Sequence, residues 1–132
     1  MGLAENKQIA QAFYAAANRG DMEGCLDLLA SDVTWTNIGS TKFSGTYVGK
    51  DDLIARLLEP VFGQLKAGIT STIDNMIAEA DVVVIQLRGK AETKNGRPYN
   101  NTYCHVIRMR NRKIGEVTEY FDTELTSSIF GR

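Results

Sequence analysis

The sequence predicts an α+β fold in which three N-terminal helices pack in a strongly curved antiparallel sheet, a cone-like half-barrel. Three observations predict it. Apolar residues in the first half recur at helical spacing, and from Ile69 onward the period changes to strand-like. The joins between the later runs are too short for helical crossovers, so those runs must meet as antiparallel hairpins. The 132 residues give bulk for one core. No repeat or linker divides the chain, so residues 1–132 read as one domain.

The elements follow in order. Ile9, Ala12, Phe13 and Ala16 mark the first helix, and Gly20 ends it. Asp21 is placed to cap a second short helix carrying Cys25, Leu26, Leu28 and Leu29. Ser31-Asp32 breaks that helix, and Val33–Ile38 alternates as a strand. Gly39–Gly49 reads as a loop with room for a short hairpin or a lid. Lys50 or Asp51 opens a third helix with Leu53, Ile54, Leu57 and Leu58 on its apolar side, kinked or divided at Pro60. Strands are expected over Ile69–Ala78, Val82–Glu92, Tyr99–Arg110 and Ile114–Thr123. A sheet of four or five strands wrapped round the helices leaves a cavity, a usual kind of ligand site.

Composition excludes several function classes. Fifteen basic and sixteen acidic residues give a net charge of −1, with no basic track for nucleic acid. No apolar run reaches the roughly 20 residues that span a bilayer, so no membrane partner is expected. The opening residues lead straight into a charged amphipathic stretch, and Cys25 and Cys104 have no metal or disulfide spacing. The expected compartment is the reducing cytoplasm, with no metal. Phosphate-loop, dinucleotide, serine-hydrolase and zinc-protease motifs are all missing.

The candidate chemistry lies in the C-terminal quarter. Asp122 ends an apolar strand and shares its even face with Thr118 and Tyr120. If that face lines the cavity, desolvation suits Asp122 to carry a proton. The alternative is a strand-end carboxylate that bonds nearby backbone N–H groups or pairs with an arginine. His105, the sole histidine, shares strand parity with Tyr103, Asn101 and Tyr99. A tight turn at Asn111–Lys113 sets His105 near Val117–Glu119. Tyr14 lies on the first helix, and buried phenols make good donors to a carbonyl or enolate. Trp35 reads as a core anchor, and Asn37 could orient a ligand or water. Gln86 and Arg88 share a strand face, but Val83, Ile85 and Leu87 make the opposite face more apolar. For the even face to point inward, the odd face must be covered as well. That conflict points to a homodimer through the outer face of the sheet.

Several segments together carry a family likeness: Ile9-Ala-Gln-Ala-Phe13-Tyr14, Gly20-Asp21, Val33-Thr-Trp35, Gly96–Asn100, Lys113-Ile114 and Glu119-Tyr120-Phe121-Asp122. Over nearly its whole length the chain resembles the SnoaL-like polyketide cyclases and ketosteroid-isomerase-related proteins of the cystatin-like, nuclear transport factor 2-like fold. The resemblance implies a half-cone with a deep pocket, usually in a homodimer, and an acid–base role for Asp122. The similar limonene-epoxide hydrolases pair such an aspartate with an Arg-x-Asp on the neighbouring strand. Here that place reads Gln86-Leu87-Arg88, so a hydrolase would be a divergent one. Steroid isomerases use an Asp base in the Trp35–Gly39 region, where this chain has none.

The leading expectation is a cofactor-independent isomerase or cyclase acting on a small, mostly apolar carbonyl compound. Asp122, His105 and Tyr103 form the catalytic set, and Tyr14, Trp35, Asn37, Gln86, Arg88, Asn101 and Tyr120 bind substrate. The competing expectations are a non-catalytic binding module for a hydrophobic metabolite or acid, and a scaffold whose cavity is filled by side chains.

Overall fold

The structure is a computed structural model that describes residues 2–132. Helix α1 spans Leu3–Asn18 and buries Asn6, Ala10, Tyr14 and Ala16, while Ala12, expected inward, is exposed. Gly20 adopts φ +76, the left-handed conformation that stops a helix. Asp21 then caps α2 (Met22–Asp27) by accepting the Gly24 N–H at 2.8 Å, as its position in the sequence suggests.

Strand β1 spans Leu29–Asn37 and runs through Ser31-Asp32, where a break was expected. The register is irregular between Leu29 and Thr34, so those two residues fall in a distorted stretch rather than a terminus. The glycine-rich segment after it contains β2 (Gly45–Val48), an antiparallel partner of β1.

Residues 50–62 form one helical run in three parts: α3 (Lys50–Leu53), a π-helical turn (Ile54–Leu58) and α4 (Glu59–Phe62). Pro60 supplies the reason. It has no N–H to continue the ladder, and its ring crowds the carbonyl four residues back; the wide turn accommodates both.

Strands β3 (Thr70–Glu79), β4 (Val82–Lys90), β5 (Thr102–Arg110) and β6 (Lys113–Phe121) form the meander. The six-stranded sheet has the order β2-β1-β6-β5-β4-β3, and β1 pairs parallel with β6. It is therefore larger than expected and not wholly antiparallel. Its concave face carries Val83, Ile85 and Leu87 of β4 and Tyr103, His105 and Ile107 of β5, all 8% exposed or less. Fully burying an aliphatic side chain of this size is worth about 1.5–3 kcal/mol, so this layer is the core.

A register shift between Arg108 and Met109 pairs Met109 with Ile114 and Arg108 with Glu116. This bulge at Gly115 puts both Ile114 and Val117 inward, so the odd residues of the rest of β6 face the cavity.

The chain ends in α5 (Thr123–Phe130), a helix that the sequence reading had left out. Asn101 fastens it. The Asn101 side-chain amide donates to the Asp122 carbonyl (3.2 Å) and Thr126 Oγ1 (3.2 Å), and its Oδ1 accepts the Asp122 N–H (3.1 Å). Among the described residues no helix is long and apolar enough to cross a membrane.

Candidate functional site

The concave face, α1, α2, residues 50–62 and α5 enclose a cavity of about 170 Å³. Its walls are mainly apolar, with Phe13, Trp35, Leu57, Leu87, Phe121 and Phe130 among them. An apolar cavity of ~150 Å³ admits benzene, so this one has room for a ring-sized molecule. The scaffold expectation had this space filled by side chains, whereas the structure leaves it open.

Sheet register assembles the polar part of the wall. Asn37, Glu119, His105 and Ile85 are successive partners across β1, β6, β5 and β4. Glu119 and His105 are thus direct cross-strand neighbours, and Glu119 Oε1 lies 3.0 Å from His105 Nε2. The other ring nitrogen, Nδ1, is 2.6 Å from the Tyr14 hydroxyl on α1. Both side chains of the Glu–His pair are shielded, 16% and 7% exposed. A carboxylate can only accept, so Nε2 carries the hydrogen toward Glu119. Nδ1 of the neutral imidazole then accepts from Tyr14.

Aromatic rings hold the imidazole in place. Tyr14 stacks on it with centroids 5.7 Å apart, Trp35 meets it edge-on at 5.7 Å, and Tyr103 is tilted against it at 5.8 Å. Burial, and then the Glu119 charge, push the Tyr14 phenol well above its usual range, so it keeps its proton. Burial does the same for Tyr103, with Tyr99 and Glu119 adding to it. Gly89 gives the Tyr103 ring its place: a Cβ there would lie 2.8 Å from Tyr103 Cε2.

Among the described residues, Glu119 is the only Asp or Glu on the cavity wall, and no Lys or Arg lines it. His105 bonds one of its oxygens, and no other group among the described residues bonds the carboxylate. The arrangement is a shielded base with one oriented oxygen and one free for a ligand's proton. Among the described residues no cluster of three His, Cys, Asp or Glu could hold a metal ion.

Of the residues expected in the site, Tyr14, Trp35, Asn37, Tyr103 and His105 line this cavity. Asn37 is already committed, with Oδ1 accepting from Trp35 Nε1 (3.0 Å) and its amide donating to the Phe43 carbonyl (3.2 Å).

The other five do not reach the cavity. Asp122 is exposed and caps α5, with Oδ1 accepting the Leu125 N–H at 3.1 Å. Its expected place inside the pocket is corrected, because the bulge turns the even face of β6 outward. Tyr120, on that same face, is 48% exposed. Gln86 and Arg88 also face outward, leaving the odd face of β4 inside as its apolar pattern alone implies. Arg88 is held there by both oxygens of Asp74, its Nε 2.9 Å from Oδ2 and Nη2 2.8 Å from Oδ1. Asn101 is buried but spends its hydrogen bonds on α5.

Glu119 is the cavity-wall carboxylate that sequence reasoning missed. The signal was present: the hairpin register put His105 near Val117–Glu119. Glu119 was passed over because Asp122 drew the even face inward.

Comparison with known proteins agrees with this architecture. No curated protein sequence matches the chain. Among solved structures it is similar to an NTF2-like protein of unknown function from Burkholderia pseudomallei, with 26% identity, all of both chains covered and a TM-score of 0.86. It is similar to TerC, co-crystallised with polyporic acid, with 24% identity over 97% of this chain and 99% of that one and a TM-score of 0.84. A protein of ketosteroid isomerase-like fold from Catenulispora acidiphila, in complex with trimethylamine, matches with 18% identity over 93% of this chain and 92% of that one and a TM-score of 0.76. The fold is the NTF2-like one. Residues 10–117 match the family model of the SnoaL-like domain, and the chain belongs to that family.

Proposed function

We propose that the chain is a cofactor-independent acid–base catalyst, of isomerase or cyclase type, for a small neutral carbonyl compound, with Glu119 as proton carrier. The observation that carries this reading is the shielded carboxylate on the cavity wall, oriented by His105 through one oxygen. The free oxygen removes a proton from the carbon next to the carbonyl: the C–H bond breaks, a carboxylic O–H forms, and the electron pair moves into the enolate. Tyr103 donates a hydrogen bond to the enolate oxygen, since burial keeps its phenol protonated. Where a C=C adjoins that carbon the enolate is a dienolate, and Glu119 returns the proton at its far carbon, which shifts the double bond and isomerises the compound. In a cyclase the enolate carbon instead attacks a second carbonyl: a C–C bond forms, the C=O π pair moves onto oxygen, and that alkoxide takes the proton back from Glu119.

The wall's charge sets the substrate class. With Glu119 present and no Lys or Arg, an anionic ligand finds no partner, so the proposed compound carries no negative charge. That TerC was co-crystallised with polyporic acid and the Catenulispora protein is in complex with trimethylamine supports a small-molecule role for the cavity. Incubation with small ring ketones in D₂O tests the proposal by NMR. Deuterium should appear beside the carbonyl of a fitting ketone, and Glu119→Gln should slow the exchange by about 10²–10⁴-fold. Exchange at the wild-type rate in Glu119→Gln contradicts the proposal.

Non-catalytic binding is the second reading, favoured by the engagement of both His105 nitrogens within the protein. It predicts thermal stabilisation by a ketone without any exchange. The partner proposed for the outer sheet face is a second copy of the chain. Val84, Cys104, Val106 and Thr118 are half-buried there beside exposed Tyr120. Sedimentation should give a dimer, and Tyr120→Glu should yield monomers.

A further inference from the structure

The cavity's way in can be read from the exposure of its lining. Most lining residues are buried. Apart from Phe13 and, on β6, Glu119 and Phe121, the half-buried ones gather where the end of α1, α2, the 50–62 helix and the start of β3 meet, Leu26, Leu58, Val61, Phe62 and Ile69 among them. Among the described residues, Met22 alone both lines the cavity and is exposed, at 42%. It stands at the first position of α2, directly after the Asp21 cap.

The wall formed by residues 58–62 is the more compliant side. The π-helical turn Ile54–Leu58 loosens the hydrogen-bond ladder, and Pro60 leaves the next one short of a donor. Asn18 clamps α1 to β3, its amide donating to the Ser71 carbonyl (2.9 Å) while its Oδ1 accepts the Ser71 N–H (2.7 Å).

We infer that ligands reach the cavity through a mouth between Met22 and residues 58–62, and that the Met22 side chain limits the size of what passes. An unbranched thioether suits that role, since its three rotatable bonds let it swing aside without disturbing the backbone. The inference rests on the cavity being a ligand site and not on the proton chemistry assigned to Glu119.

The protein carries its own probe. Trp35 is the sole tryptophan, is 7% exposed and lines the cavity. Acrylamide, a small neutral quencher, reaches it through the mouth. The bimolecular quenching constant, from fluorescence lifetimes, is compared for the wild type, Met22→Ala and Val48→Ala. Val48 is 62% exposed on β2 and does not line the cavity. Met22→Ala should raise the constant severalfold, and Val48→Ala should leave it unchanged. A constant unmoved by Met22→Ala, or raised equally by Val48→Ala, overturns the inference. Either result leaves the exchange assay for Glu119 unaffected, so the two proposals fail separately. Met22→Leu, which keeps the bulk, should quench like the wild type; a rise there would also overturn the size-limiting role.

Discussion

Glu119 and Asp122 stand three positions apart on the same run of chain and meet opposite environments. Glu119 faces inward, is 16% exposed in its side chain and holds His105. Asp122 is exposed and satisfies the first turn of α5. Two backbone features separate them: the bulge at Gly115, which sets which parity of β6 points inward, and the onset of α5, which takes Asp122 as its cap. A carboxylate's chemistry is thus fixed by the side of the sheet it faces. Proximity in sequence to apolar residues says little about it.

Charge removal at each position is the strongest way to break the comparison. Glu119→Gln should lower ketone exchange by about 10²–10⁴-fold, the usual worth of a positioned general base. Asp122→Asn should leave the rate unchanged, because Asn caps a helix as well as Asp. Parallel kinetics of the two variants check this.

The next effect lies at the far end of the inner network. Tyr14→Phe leaves Nδ1 of His105 buried without a donor, which costs about 1–3 kcal/mol. Urea unfolding should show it. Alkaline unfolding sharpens the same contrast. Folded Tyr14 and Tyr103 hold their protons above the ordinary phenol value of 10.0, so the unfolded chain loses them first. Their stabilisation is complete below that value and falls above it, by about 1.4 kcal/mol per pH unit for each phenol. Tyr103→Phe should flatten the fall. The smallest effect is on the outer carboxylate: Asp122→Ala should cost about 1 kcal/mol of stability through the lost cap, with the exchange rate unmoved. Thermal unfolding measures that loss.

Much of the fold was legible because local signals agreed with one another. The Gly20 stop, the Asp21 cap, the Pro60 interruption and the tight hairpins all fell where the residue types require them. The pocket face of β5 was also legible, since Tyr103, His105 and Ile107 share one parity with no bulge between them.

What failed has a physical cause in each case. The bulge at Gly115 changes parity; its mark in the sequence is a glycine inside the strand, and with that mark unread the inner face of β6 falls to the wrong residues. Gln86 and Arg88 were placed inward against the apolar pattern of their own strand, and that pattern was right. Helix α5 did leave a signal, an Asp at the cap position with Glu124 in the first turn. It went unread because Asp122 was already assigned to a strand end.

His105 offers the most direct test, since it is the sole histidine and its ring nitrogens can be observed without ambiguity. A long-range ¹H–¹⁵N NMR spectrum of its neutral form should show hydrogen on Nε2 and an acceptor at Nδ1. Glu119→Gln should shift both nitrogens, and Asp122→Asn should move neither. A hydrogen on Nδ1, or a spectrum that responds to Asp122 and ignores Glu119, would contradict the assignment of Glu119 as the inner carboxylate.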